Sequence, residues 1–197
     1  PDGWSLVDVR DDGGRAHYAA NEGTIDLAYY ELMQGIVVTD IDLSCAVLPA
    51  FNPLGSQLAT INWCVSGRCE VDFGERGSFV VPKGTLCISS SLARSFSYPT
   101  NAYRGFEVFV DFERIDRAGW AMLASFGLTE PTLRSAFLPQ ELGVILAPSG
   151  ELAMAVDSLW EELEAAGPRS PWLLLRLCGL LMALIETDLD RSNASAS

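Results

Sequence analysis

Histidine is almost missing from this chain of 197 residues; the one present is His17. A Ser-His-acid or Cys-His catalytic group would have to use it alone, so no such nucleophilic site is read. Basic residues are also scarce, 13 Lys and Arg against 26 Asp and Glu, for a net charge of −13. A surface that reads DNA must meet phosphates with positive charge, so this balance opposes nucleic-acid binding by these residues themselves. It opposes binding to anionic membranes for the same reason. No apolar run reaches the roughly 20 residues of a membrane span: 173–185 is strongly apolar but shorter and contains Arg176. No internal repeat is found. Gly13-Gly14 lacks the flanking strand and helix of a phosphate-binding loop.

The opening residues are acidic and lack an apolar run, so no signal peptide is read and a cytoplasmic location is expected. The start at Pro1 and the polar run RSNASAS at the end read as the edges of a fragment. Cys45, Cys64, Cys69, Cys87 and Cys178 are odd in number and scattered, which suits reduced, buried thiols rather than a disulfide framework.

Hydrophobic residues make up 49% of the chain, enough for a substantial core. Between Gln57 and Phe112, short runs of β-branched and aromatic residues are punctuated by Ser66-Gly67, Gly74 to Gly77, Pro82-Lys83-Gly84 and Pro99 to Ala102. Gly and Pro at this spacing mark turns, and strands this short and close argue for an antiparallel sandwich or barrel. Strands are expected at 29–33, 36–43, 57–65, 68–73, 78–81, 85–89, 94–98 and 103–112. Residues 1–27 read as an arm with one short strand at 4–9, and Gly13, Gly14 and Gly23 as its flexible points. From Glu113 onward helical spacing dominates, with helices expected at 115–126, near Glu130-Pro131, at 150–166 and at 172–189. The expected division is an arm at 1–27, a barrel at 28–112, a helical part at 113–190 and a flexible tail or linker at 191–197. The fold class is mainly β (α+β).

Along 57–65, Leu58, Thr60, Asn62 and Cys64 share one face, and Ile61, Trp63 and Val65 the other. The first set is polar but uncharged, as a pocket for a neutral hydrogen-bonding ligand would be. Glu107 and Asp111 share parity on the last strand. They are read as surface residues unless that face points inward, where one would bind a ligand amine or hydroxyl. Arg94 and Arg104 are likewise read as surface residues, with an anionic ligand as the other reading.

The runs Ile61 to Arg68, Gly84 to Ser90, Ser95 to Pro99 and Tyr103 to Asp111, with the earlier Tyr30 to Gly35, resemble the cupin-type sensor domain of AraC-family bacterial transcription regulators. The similarity spans roughly residues 28–190 and rests on the order of several short motifs. It implies a cupin-like double-stranded β-helix, or jelly-roll barrel, followed by a helical dimerisation subdomain. It also implies that the Thr60, Asn62, Cys64 face looks into the barrel, joined by Cys87, Ser89, Phe96 and Tyr98 as candidate ligand-binding residues. Trp63 is expected beneath the helices. Leu173, Leu174, Leu177, Leu180, Leu181 and Leu184 become candidate contacts of a homodimer, since the last helix is apolar nearly all round.

The cupin metal signature needs several histidines, and Cys87 stands where one would be. Neither metal nor cofactor is therefore expected, and the chain is read as no enzyme. The implied function is effector sensing and dimerisation. DNA would be reached only through a helix-turn-helix part absent from this chain, with a small molecule as partner and no membrane. The alternatives are a cupin-fold enzyme and a stand-alone binding module.

Overall fold

The computed structural model describes residues 4–10, 13–20, 23–48, 58–90, 93–139, 143–166 and 170–187. Eleven strands are formed among them: β1 (Trp4–Arg10), β2 (Gly13–Ala20), β3 (Gly23–Met33), β4 (Ile36–Ser44), β5 (Val47–Leu48), β6 (Leu58–Asp72), β7 (Ser78–Pro82), β8 (Leu86–Ser89), β9 (Ser95–Ser97), β10 (Tyr103–Asp111) and β11 (Val144–Leu146). The helices are α1 (Arg117–Ser125), α2 (Glu130–Phe137), α3 (Gly150–Ala166) and α4 (Leu173–Glu186). The large sheet runs β1-β2-β3-β4-β10-β6-β8-β11. The second half of β6 leaves it to pair with β7 and β9, and β9 pairs with β5. This is the expected mainly β, cupin-like jelly roll with a helical part.

Strand alternation divides the apolar residues into two cores. Ile25, Ile41, Leu43, Cys64, Cys69, Val71, Val81, Cys87, Tyr98 and Tyr103 form one core on the inner side of the barrel. Their outward neighbours Tyr30, Val38, Ile61, Ile88, Phe106 and Val108 join Leu123, Leu133, Val156, Leu159 and Leu177 of the helices in a second core. Trp63 packs against this second core, as its parity predicts. Phe106 stacks on Trp160 of α3, with ring centres 6.4 Å apart.

Several expectations need correction. Ser66-Gly67 is no hairpin turn: β6 runs unbroken through it for 15 residues. Opposite β10 the register jumps from Arg104↔Ser66 to Gly105↔Cys64, leaving Val65 as an extra residue. Such a bulge moves the strand out of phase by one. Before it, even-numbered Asn62 and Cys64 face inward; after it, odd-numbered Cys69 and Val71 do. Gly67 makes this possible. Its φ is 86°, and a Cβ there would lie 2.1 Å from the carbonyl oxygen of Ala102. None of the five cysteines is in a disulfide, and all five are buried.

The N-terminal arm is also not irregular. β2 pairs along its whole length with β3, from Gly13↔Tyr30 to Ala20↔Gly23, and β1 pairs with β2. A segment bonded into a sheet is a poor moving part. β11 was missed because it lies among helices, where it pairs with β8.

The helix boundaries follow their caps. The Asp116 carboxylate accepts from the Gly119 N–H at 2.7 Å to open α1. Thr129 caps α2, which has Pro in its first turn. No helix among the described residues is long and apolar enough to cross a membrane.

Candidate functional site

The inner face of the large sheet carries a row of polar side chains. Register places Thr39 beside Glu107, Glu107 beside Asn62, and Asn62 beside Cys87. Tyr103, four residues before Glu107 on β10, shares its face. The hydrogen bonds run in one direction. The Tyr103 hydroxyl donates to Asn62 Oδ1 at 2.9 Å, and Asn62 Nδ2 donates to Glu107 Oε1 at 2.8 Å. The Thr39 hydroxyl donates to the backbone carbonyl of Glu107 at 3.3 Å. A chain of donors ending on a carboxyl group polarises each member toward that group.

Burial sets the ionisation of this cluster. Glu107 is held above the usual carboxylate range by desolvation, against which the Asn62 hydrogen bond works. Its side chain nevertheless remains partly accessible, as do Thr60 and Phe109 on the same inner face. Desolvation raises the Tyr103 and Tyr98 hydroxyls well above their ordinary range, with the nearby Glu107 charge adding to it. It also raises the Cys69 and Cys87 thiols, and takes Cys64 to about 11. Thiols this protonated are poor nucleophiles and poor metal ligands. Tyr98 shares a hydrogen bond with Cys69, and its ring lies 5.2 Å from that of Tyr103. Among the described residues no three His, Cys, Asp or Glu side chains converge as a metal site would require.

Of the residues expected to line a pocket, Asn62, Cys64, Cys87 and Tyr98 lie together inside the barrel, 8%, 0%, 5% and 3% exposed. Thr60 and Ser89 are neighbours across β6 and β8 on the same face. Phe96 lies on the second sheet, opposite Val71, half-buried against the inner core. The pocket was expected to be uncharged, and the placement of Glu107 changes that: its parity is inward, so it is no surface residue. Its signal was the period-2 alternation of β10, with Phe106 and Val108 outward. Asp111 ends the same strand and is 1% exposed, its carboxylate accepting from the Glu113 N–H.

Neither arginine lines the barrel. Arg94 is exposed. Arg104 lies on the helix-facing side, ion-paired with Asp40 and 4.8 Å from the Trp160 ring centre. His17 pairs with Asp26 across β2 and β3 at 2.8 Å.

The six leucines of α4 need a further correction. Leu173, Leu177, Leu180, Leu181 and Leu184 are each 0% exposed within a single chain, and Leu174 is half-buried. Those five hold α4 on its own subunit, and of the six only Leu174 keeps accessible surface. The large apolar side chains exposed along α4 and its N-cap are Trp172, Leu175 and Met182, at 58%, 41% and 42%, with Arg176, Gly179 and Glu186 exposed beside them.

No protein-family model matches the chain, and no curated protein does. Solved structures of similar shape include a bacterial pirin in complex with nickel(II) from Escherichia coli, at 14% identity and TM-score 0.36, matching 54% of this chain and 51% of that one. An oxalate decarboxylase from Bacillus subtilis matches at 16% identity and TM-score 0.37, over 75% of this chain and 42% of the other. An ectoine synthase from P. lautus matches at 14% and TM-score 0.36, over 53% and 71%. The chain thus spans about half the length of the first two. Likeness at this level assigns neither activity nor ligand. Because two of these structures are enzymes, the expectation that this chain is not an enzyme is withdrawn.

Proposed function

We propose that this chain is the effector-sensing and dimerisation part of an AraC-type transcription regulator, with DNA contacted by a separate helix-turn-helix part. The observation that carries the sensing half is the inner polar row Thr39–Glu107–Asn62–Cys87, which stays partly accessible at Glu107 inside an otherwise apolar barrel. Barrels of this size hold one small ligand. The order of motifs that resembles the AraC sensor domain supports the regulatory half, and the acidic balance agrees with leaving DNA to another part. A reduced cytoplasm suits five cysteines without a disulfide.

Dimerisation uses the face of α4 that its own subunit leaves uncovered. Trp172, Leu175, Gly179 and Met182 follow one another at spacings of three, four and three, the seam spacing of paired helices. Gly179 is exposed there, and a Cβ on it would meet nothing within 4 Å.

The test is a fusion. The chain is joined to a helix-turn-helix unit that binds its operator only as a dimer, and gel shifts are read with the wild-type chain and with Leu175→Glu/Met182→Glu. Operator binding by the first and its loss in the second is the expected result. A fusion that never binds operator, while the chain is folded by circular dichroism, overturns the dimerisation role.

A further inference from the structure

We propose that the barrel binds a small organic cation, an ammonium head on an apolar or aromatic body, with the head at the Glu107 carboxylate. The inference rests on reading the barrel as a small-molecule pocket and names the class of molecule it takes.

Three observations carry it. First, the hydrogen-bond chain from Tyr103 through Asn62 ends at Glu107, and each link spends a donor on the next acceptor. When ionised, the Glu107 carboxylate offers about four acceptor positions, and a molecule that meets it in that form brings donors. Second, no Lys, Arg or His pairs with Glu107 among the described residues. The titratable groups that feel its charge are Cys69 from β6, Cys87 from β8, Tyr103 from β10, and Tyr98 beyond β9, with Cys64 farther along β6. All of these are held protonated and neutral by burial. Lys83 acts on Cys64. A lone carboxylate in neutral walls attracts a cation and repels an anion.

Third, the surroundings suit an organic body rather than a bare ion. The rings of Tyr98 and Tyr103 stand together on the inner side, and Phe109 follows Glu107 on the same face of β10. Aromatic faces add to the binding of an ammonium group. A metal ion would need more ligating groups than converge here among the described residues. Part of the Glu107 surface stays accessible, as do parts of Thr60 and Phe109 on the same face.

The experiment titrates the whole chain by calorimetry with benzylamine, benzyl alcohol and benzoate, three probes of one body with cationic, neutral and anionic heads. Benzylamine should bind tightest and benzoate not at all. Glu107→Gln, which keeps the Asn62 hydrogen bond, should weaken benzylamine about 10- to 100-fold, the worth of a hydrogen bond to a charged group. Benzylamine affinity of the unaltered chain should rise with pH through the range where Glu107 ionises and then level off, a readout that needs no variant. Benzyl alcohol or benzoate binding as well as benzylamine, or a flat pH profile, overturns the cation class and leaves the barrel a ligand pocket. If none of the three binds, both readings fall.

Discussion

Replacing Gly67 by Ala should be among the most damaging single methyl additions in this protein. Two costs combine. An L-residue held near the left-handed region costs about 1–2 kcal/mol. The new Cβ would also stand 2.1 Å from the Ala102 carbonyl oxygen and 3.0 Å from the Ala102 carbonyl carbon. Moving that backbone aside adds about 1–3 kcal/mol, the usual cost of overpacking. The sum is about 2–5 kcal/mol, and a domain of this length loses about 2–4 °C of Tm per kcal/mol, so a fall of about 4–20 °C is expected.

The control is Gly84→Ala. Gly84 also has positive φ, 76°, but nothing lies within 4 Å of its missing Cβ. It bears only the conformational cost, partly offset by a stiffer unfolded chain, so about 0–1.5 kcal/mol is expected. Urea unfolding followed by circular dichroism separates the two. If Gly67→Ala unfolds with Gly84→Ala, the bulge is not pinned by Ala102 and the change of phase along β6 needs another cause.

Three further outcomes follow from the packing and the charge. Leu180→Ala should cost about 2–5 kcal/mol by urea unfolding, since the side chain is 0% exposed, whereas Leu175→Glu should change stability by under about 0.5 kcal/mol and act on oligomeric state in light scattering. Trp160→Ala should cost about 2–3 kcal/mol, because it removes the ring stacked on Phe106 and the face under Arg104. Glu107→Gln should alter the pH profile of stability. Burial lifts the folded carboxyl above its ordinary value of 4.5, so the unfolded chain releases its proton first. The neutral acid is fully accommodated below that value, and the wild type loses stability, relative to the Gln variant, as pH rises through the folded pKa. Parallel profiles from pH 3 to 8 would contradict the placement of Glu107.

Much of the sheet was legible because alternation is a local property. Ile41 and Leu43 between Asp40 and Asp42, and Asn62 and Cys64 between Ile61 and Trp63, tell which residues share a face. They do not tell where the phase changes. Ser66-Gly67 carries the same residues whether the chain turns back or bulges, and the deciding contact, Ala102, lies 35 residues away in sequence. The arm misled for a related reason. Gly13, Gly14 and Gly23 read as flexible points, yet in strands Gly13 and Gly23 permit close approach: a Cβ on Gly13 would lie 2.3 Å from the Tyr29 carbonyl oxygen. On α4 the apolar residues outnumber what one stripe requires, and the sequence could not say which of them meet α3 and the sheet. The inward carboxyl of Glu107 was visible only as parity; its partner Asn62 sits 45 residues away and becomes adjacent through register alone.

β10 joins the two halves of the proposed function. It lies between β4 and β6 in the large sheet, and its faces have different neighbours. Glu107 faces the barrel, while Phe106, its immediate neighbour in sequence, stacks on Trp160 of α3. Arg104, three residues before Glu107, lies over the same indole and is ion-paired with Asp40 of β4 and, at 3.8 Å, with Glu164 of α3. α3 packs in turn against α4, whose exposed Leu175 and Met182 form the proposed dimer seam. A ligand at Glu107 shifts the seam only by the difference in its affinity for two arrangements of β10 and α3. We propose that this difference passes through Phe106 and Arg104, because both meet Trp160 of α3 from the strand that bears the carboxyl. Trp160→Ala should therefore uncouple ligand from seam while leaving ligand affinity in place, an effect that loss of stability alone would not produce.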